Sequence, residues 1–218
     1  MPGSGAGRNL ELKARDGEPE DSLEACRKLG AVDCGVLWQR DTYLNTPRGS
    51  LKLRVQRPGH CQLIHCQRAD EPGERESHYR IMEVSDPETT RAFLSESLGV
   101  QATVTKRRRL FLWRSVRIHL DDVEGLGRFI ELEAVTPPES DLSAEHELIG
   151  ELRRRLAIAD ARLVAGGYAT LLVATSPTAA ANSADPDGFD QALVGQSLNA
   201  ARIEQPGPGH LGIGRPRA

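Results

Sequence analysis

Along residues 8–15, RNLELKAR, apolar and charged side chains alternate. Leu10 and Leu12 fall on one face of an extended chain, and Glu11, Lys13 and Arg15 on the other. The same period of two returns in SLKLRVQR (50–57), where Leu51 and Leu53 alternate with Lys52 and Arg54. It runs on through VTKRRRLFLW (104–113), SVRIHLDDV (115–123) and RFIELEAV (128–135), and Pro137–Pro138 end the sheet. VLWQRDTYLN (36–45), QLIHCQR (62–68) and SHYRIMEV (77–84) complete about eight predicted strands, separated by TPRGS, Pro58–Gly59 and DEPGE. Helical spacing shows in three places. DSLEACRKLGA (21–31) carries Gly30 where a helix C-terminus needs positive φ. DPETTRAFLSESLG (86–99) has Pro87 in its first turn, Phe93, Leu94 and Leu98 as an apolar stripe, and Gly99 as a stop. SAEHELIGELRRRLAI (143–158) turns Leu148, Ile149, Leu152 and Leu156 to one face, and YATLLVA (168–174) reads as a last packed element. This order predicts an α+β fold: an antiparallel eight-stranded sheet, closed or nearly closed into a β-barrel, with flanking helices.

The 218 residues divide into a Gly/Ser/Ala-rich leader (1–7), a domain (8–175) and a tail (176–218). The tail is rich in Ala, Ser, Pro, Gly and Asp and lacks the apolar periodicity that repays ordering, so leader and tail are expected to be disordered. The net charge is only −3, from 28 basic and 31 acidic residues, so no global excess marks a nucleic-acid or membrane partner. No apolar run approaches the roughly 18 residues of a membrane span. Cys26, Cys34, Cys61 and Cys66 form no C-x-x-C and match no zinc spacing. A soluble, cytoplasmic chain with reduced thiols is expected. Gly125 and Gly127 in VEGLGRF precede a strand and not a helix, so they mark a turn and not a phosphate loop.

Charge placement is the informative pattern. Glu11/Lys13/Arg15, Lys52/Arg54, Lys106/Arg108 and Glu131/Glu133 are each a same-face set within a strand. One such face is ordinarily solvated. Four of them in a sheet that curls can converge inside a barrel, with the apolar faces turned out under helices. Such an interior needs paired charges, or a charged ligand and metal. Carboxylates suit Mg²⁺ or Mn²⁺, and lysines and arginines suit phosphate oxygens. Together they describe a site for a metal–polyphosphate complex. Alternation also splits the run 106–109, putting Lys106 and Arg108 inside and Arg107 and Arg109 outside, against one continuous nucleic-acid patch. His65 and His119 can line the cavity, although a solvated or satisfied histidine is the default. Tyr43 divides between ligand contact and core packing, and Asp41 reads as structural.

The segments RNLELKAR, QRDTYLNTPRGSLKLRV, QLIHCQRADEPGERESHY, VTKRRRLFL, VRIHLDDVEGLGRFIELEA and GYATLLV, in that order across residues 8–173, resemble the CYTH group of triphosphate tunnel enzymes, closest to class IV adenylate cyclase-like proteins. The resemblance implies a divalent-metal-dependent enzyme acting on a triphosphate inside a β tunnel, with Mg²⁺ or Mn²⁺ as cofactor. The implied partner is a nucleoside triphosphate or another organic or inorganic triphosphate, with a homodimer left open. The reaction is either cyclisation of ATP to cyclic AMP and pyrophosphate or triphosphate hydrolysis. Glu11, Asp121, Glu131 and Glu133 would be metal ligands, with Asp122 the register alternative to Asp121. Lys13, Lys52, Arg54, Arg68, Arg75, Lys106 and Arg108 would hold the triphosphate. Glu11 and Lys13 would act in catalysis, Lys13 stabilising or positioning the attacking group. The family pattern E-x-E-x-K reads Asn9-Leu-Glu11-Leu-Lys13 here, so Asn9 offers the metal a neutral carbonyl oxygen in place of the first carboxylate. That departure keeps an alternative open: a non-catalytic module that binds a nucleotide or polyphosphate.

Overall fold

The computed structural model describes residues 5–175. The expected disorder of the tail, and of residues 1–4, lies outside the described residues. The strands are β1 (Gly5–Arg15), β2 (Val32–Leu44), β3 (Ser50–Arg57), β4 (Cys61–Arg68), β5 (Arg75–Glu83), β6 (Val100–Trp113), β7 (Val116–Val123) and β8 (Gly127–Thr136). They close into an antiparallel barrel in the order β1-β5-β4-β3-β2-β6-β7-β8, and β8 returns to pair with β1. Closure leaves no sheet edge unpaired. The helices are α1 (Pro19–Lys28), α2 (Pro87–Leu98), α3 (Ser143–Arg155) and α4 (Tyr168–Thr175).

The period of two sorts the side chains as the charge pattern requires. Leu10, Leu12 and Ala14 of β1, Phe111 and Trp113 of β6, Val116 and Ile118 of β7, and Ile130, Leu132 and Ala134 of β8 turn outward. They form one apolar core with Cys26 of α1 and with Ile149, Leu152 and the following Leu156 of α3. The hydrophobic core therefore lies between the barrel wall and the helices, and the interior is left to polar groups. Gly30, with φ of 68°, ends α1 as expected, and Gly125 and Gly127 turn the chain from β7 into β8 at φ of 74° and 85°.

Two details depart from the sequence reading, and a third sets the end of the barrel. β1 begins at Gly5, within the stretch read as leader, because Gly5–Gly7 pair with Ile81–Tyr79 of β5. In α2 the stripe of Phe93, Leu94 and Leu98 is not an inner face. No α2 residue is buried, and Phe93 is 67% exposed. The helix is capped by Asp86, whose side chain accepts from Thr89 N. It is tied at its other end, where Asn45 Nδ2 donates to Leu98 O and Asn45 N donates to Gly99 O. Phe129 shares parity with Glu131 and not with Ile130 and Leu132. It meets the Tyr168 ring edge-on at 5.0 Å in a second cluster with Tyr43, Val104, Val123, Leu126 and Ala169, at one end of the barrel.

Truncating Leu12, which is fully buried under the helices, to Ala is expected to cost about 2–5 kcal/mol in urea unfolding. Phe93→Ala on the exposed α2 face should stay within about 0.5 kcal/mol. Equal costs at the two positions would contradict this placement of the core.

Candidate active site

Register sets charge opposite charge on the inner wall. Lys13 stands across from Glu131, Arg54 across from Asp41, and Arg108 across from Asp121, while Glu11 has Arg75 on one side and the like-charged Glu133 on the other. Cross-strand neighbours of this kind lie close enough for their side chains to meet. Lys13 Nζ donates to Glu131 Oε1 at 3.0 Å, and Arg108 Nη2 donates to Glu131 Oε2 at 2.8 Å. Arg108 also forks onto Asp121 at 2.7 and 2.6 Å, and Tyr168 Oη donates to Asp121 Oδ2 at 2.9 Å. Glu11 accepts from Arg68 at 2.6 Å and from Arg75 at 2.9 Å. Asp41, with no exposed surface, takes a fork from Arg54 at 2.7 Å and lies 3.2 Å from Lys52 Nζ and 3.5 Å from Lys106 Nζ. Arg117 reaches Glu133 at 3.6 Å.

Pairing does not bring the interior to neutrality. Lys13, Lys52, Arg54, Arg68, Arg75, Lys106, Arg108 and Arg117 are eight cations against the five carboxylates of Glu11, Asp41, Asp121, Glu131 and Glu133, an excess of three. Inward-facing cations in excess of their counter-ions favour an incoming polyanion. Two lysines feel this directly. Burial pulls Lys13 below its ordinary pKa against the opposing charge of Glu131, and burial together with Arg108 pulls Lys106 well below. Burial opposes ionisation of Asp41 and Glu131. The cations around Asp41, and Lys13 with His119 and Arg108 around Glu131, outweigh it and hold both carboxyls well below their usual range. Tyr168 belongs to this network through its ring as well, with Lys13 Nζ 3.9 Å and Lys106 Nζ 4.9 Å from its centroid.

A cation fits one part of the wall. Donor atoms of His119, Glu131 and Glu133 lie within 4.8 Å of one another. Burial and the neighbouring Arg108 lower the pKa of His119, which favours the neutral imidazole and its lone pair. Asn9 Oδ1 and His119 Nδ1 are buried without a hydrogen-bond partner, acceptor positions that a metal or its water would satisfy.

All seven predicted phosphate-binding residues face the interior, as do Asn9, Glu11, Asp121, Glu131 and Glu133. Asp121 is buried while Asp122 is exposed, which settles the register between them. Arg107 is exposed, and Arg109 pairs with Asp33 outside the barrel. Glu11 and Asp121, however, are engaged by Arg68 and Arg75 and by Arg108 and Tyr168, and their carboxylates are not among the donor atoms that gather with His119, Glu131 and Glu133. The sequence reading missed Asp41 as a charge hub, Arg117 and Tyr168. It also left His119 as a default histidine, although His119 shares strand parity with Asp121. His65 sits away from this cluster, against Arg48 O at 3.3 Å.

The CYTH domain family model matches residues 7–168. The chain belongs to the CYTH-domain family. Enzymes of this family are divalent-metal dependent. This CYTH domain is 25% identical over 142 residues to adenylate cyclase CyaB of Aeromonas hydrophila, a match covering 61% of this chain and 71% of that protein. Among solved structures it is similar to the PH1012 protein of Pyrococcus horikoshii OT3, with 27% identity and a TM-score of 0.65 over 75% of this chain and 98% of that one. A conserved hypothetical protein of Pyrococcus furiosus shares the fold at 23% identity and a TM-score of 0.64, over 75% of this chain and 99% of that one.

Asp41→Asn removes the counter-charge of Arg54, Lys52 and Lys106. It should cost about 3–5 kcal/mol and lower Tm on the order of 10 °C in a thermal melt. The folded carboxyl binds its proton less tightly than the unfolded one, so its stabilisation is complete above the unfolded pKa of roughly 3.9. It is lost as pH falls through the depressed folded value. The gap between wild type and variant should therefore hold from neutral pH down to about 5 and close in stronger acid. An unchanged Tm at pH 7 would contradict the charge-hub role.

Proposed function

We propose that this chain is a divalent-cation-dependent enzyme that takes a triphosphate into its barrel and breaks a phosphoanhydride bond there. The observation that carries this reading is the closed inner wall itself, where an excess of inward-facing cations stands beside a His/Glu/Glu cluster. Glu131, Glu133 and His119 would hold the cation, with Asn9 one step along β1 from the position that faces Glu133, and Mg²⁺ or Mn²⁺ suits such a set. When bound, the cation would neutralise phosphate charge and polarise a phosphorus–oxygen bond. Lys52, Arg54, Arg68, Lys106 and Arg108 would receive the phosphate oxygens, exchanging their carboxylate partners for the substrate. Lys13 lies between Glu131 and the Tyr168 ring, where it can stabilise charge on the attacking or leaving oxygen. Arg75, hydrogen-bonded to Glu71 O and Val164 O as well as to Glu11, is tied to the wall and supports Glu11.

Cyclisation and hydrolysis share this clamp and differ in which phosphorus meets the nucleophile. The likeness to the Aeromonas adenylate cyclase supports the first, with ATP giving cyclic AMP and pyrophosphate. The density of lysine and arginine on the inner wall supports the second, since these groups read phosphate and not base. Asn9 favours one further reading, a binding module without turnover, because a neutral amide replaces a carboxylate at the wall. The free thiols of Cys26, Cys34, Cys61 and Cys66 fit a reducing, cytoplasmic setting, and no described helix is long and apolar enough to cross a membrane.

A panel of nucleoside triphosphates, thiamine triphosphate and tripolyphosphate with Mg²⁺ or Mn²⁺, scored separately for cyclic nucleotide, phosphate and pyrophosphate, distinguishes these readings. Turnover is expected with at least one substrate, and Glu131→Gln or Glu133→Gln should lower it by ~100-fold or more with the fold retained. Wild-type turnover in both variants would overturn the metal assignment. Stabilisation by tripolyphosphate with no turnover of any substrate would establish the binding module.

A further inference from the structure

His119 stands directly opposite Glu131 across the β7–β8 pair, and both of its ring nitrogens face carboxylates. Nδ1 lies 3.7 Å from Glu131 Oε2, and Nε2 lies 3.9 Å from Glu133 Oε2. Both distances exceed a hydrogen bond. The side chain is only 4% exposed, and Nδ1 is buried with no hydrogen-bond partner. A histidine serving only to pair with these glutamates would close one of those gaps. The spacing suits something placed between the groups. Neighbouring ligand atoms around an octahedral Mg²⁺ or Mn²⁺ stand roughly 3 Å apart. The donor atoms of His119, Glu131 and Glu133 already lie within 4.8 Å of one another, so closing on a cation needs side-chain shifts on the order of an ångström.

We infer that His119 is a direct nitrogen ligand of the barrel's cation, forming with Glu131 and Glu133 a mixed nitrogen–oxygen site that selects Mn²⁺ over Mg²⁺. The inference rests on the assignment of Glu131 and Glu133 as cation ligands. Imidazole nitrogen suits transition-metal cations, whereas Mg²⁺ prefers oxygen donors and retains its waters. A neutral donor also changes the charge balance of the wall less than a third carboxylate would. Glu131 and Glu133 already face cations, Lys13 and Arg108 at the first and Arg117 at the second.

The test is pulsed electron paramagnetic resonance of Mn²⁺ bound to the full chain without substrate, together with calorimetric affinities for Mn²⁺ and Mg²⁺. Wild type should show the ¹⁴N modulation of a coordinated imidazole and bind Mn²⁺ more tightly than Mg²⁺. The chain has six histidines, so the signal is assigned by its loss in His119→Gln. That variant should bind Mn²⁺ at least ~10-fold more weakly, while its Mg²⁺ affinity falls less. Absence of the nitrogen signal in wild type, with Glu131→Gln still abolishing Mn²⁺ binding, would overturn the role of His119 and leave the glutamate site standing. Mn²⁺ binding unchanged in both Glu131→Gln and Glu133→Gln would move the cation elsewhere and overturn both assignments. The wild-type spectrum decides the ligation even if His119→Gln fails to fold.

Discussion

Glu131 accepts from Lys13 on one oxygen and from Arg108 on the other, inside a closed wall where little water reaches it. Every other feature of the interior follows from the need to compensate such charges. A buried ion left unpaired is strongly destabilising, and a buried pair recovers its desolvation only when geometry and further hydrogen bonds are good. The barrel meets that need by register, with opposite charges on facing strands. Arg108 bridges Asp121 and Glu131, and Asp41 gathers cations from β3 and β6. The compensation is incomplete by design of composition, since cations outnumber carboxylates. The same groups that hold the ligand-free wall together are those a cation and a triphosphate would separate. Binding is then a partner exchange: carboxylates pass from lysine and arginine to metal, and lysine and arginine pass to phosphate.

This arrangement constrains the rest of the fold. A wall with ionic side chains inside cannot draw its stability from the barrel lumen. It draws it from outside, where Leu10, Leu12, Ile118, Ile130 and Leu132 pack under Ile149 and Leu152. The lumen also needs an end. Tyr168 and Phe129 supply it, and Tyr168 adds a hydroxyl to Asp121 and a ring face to Lys13. Apolar closure and polar network thus meet in one residue at the start of α4.

What the sequence made legible was whatever depends on alternation within a strand. The pairing of Glu131 with Glu133, the split of Lys106 and Arg108 from Arg107 and Arg109, and the outward Leu10 and Leu12 all follow from a period of two. What stayed hidden depends on register between strands or on docking. Asp41 becomes a hub only when β3 sets Arg54 opposite it and β6 brings Lys106 alongside. Tyr168 reaches Asp121 from a helix whose sequence signals only an apolar segment. The α2 stripe shows the remaining gap, because periodicity says which residues share a face and not what covers it.

The most direct test is a crystal structure of the chain with Mn²⁺ and a non-hydrolysable triphosphate. The account predicts an anomalous Mn²⁺ peak beside Glu131 and Glu133 within the barrel. Phosphate oxygens should lie on Arg54, Lys106 and Arg108, and the contacts of Lys13 and Arg108 to Glu131 should be opened. A triphosphate bound on the outer surface, with the Lys13–Glu131 and Arg54–Asp41 pairs intact, would contradict it.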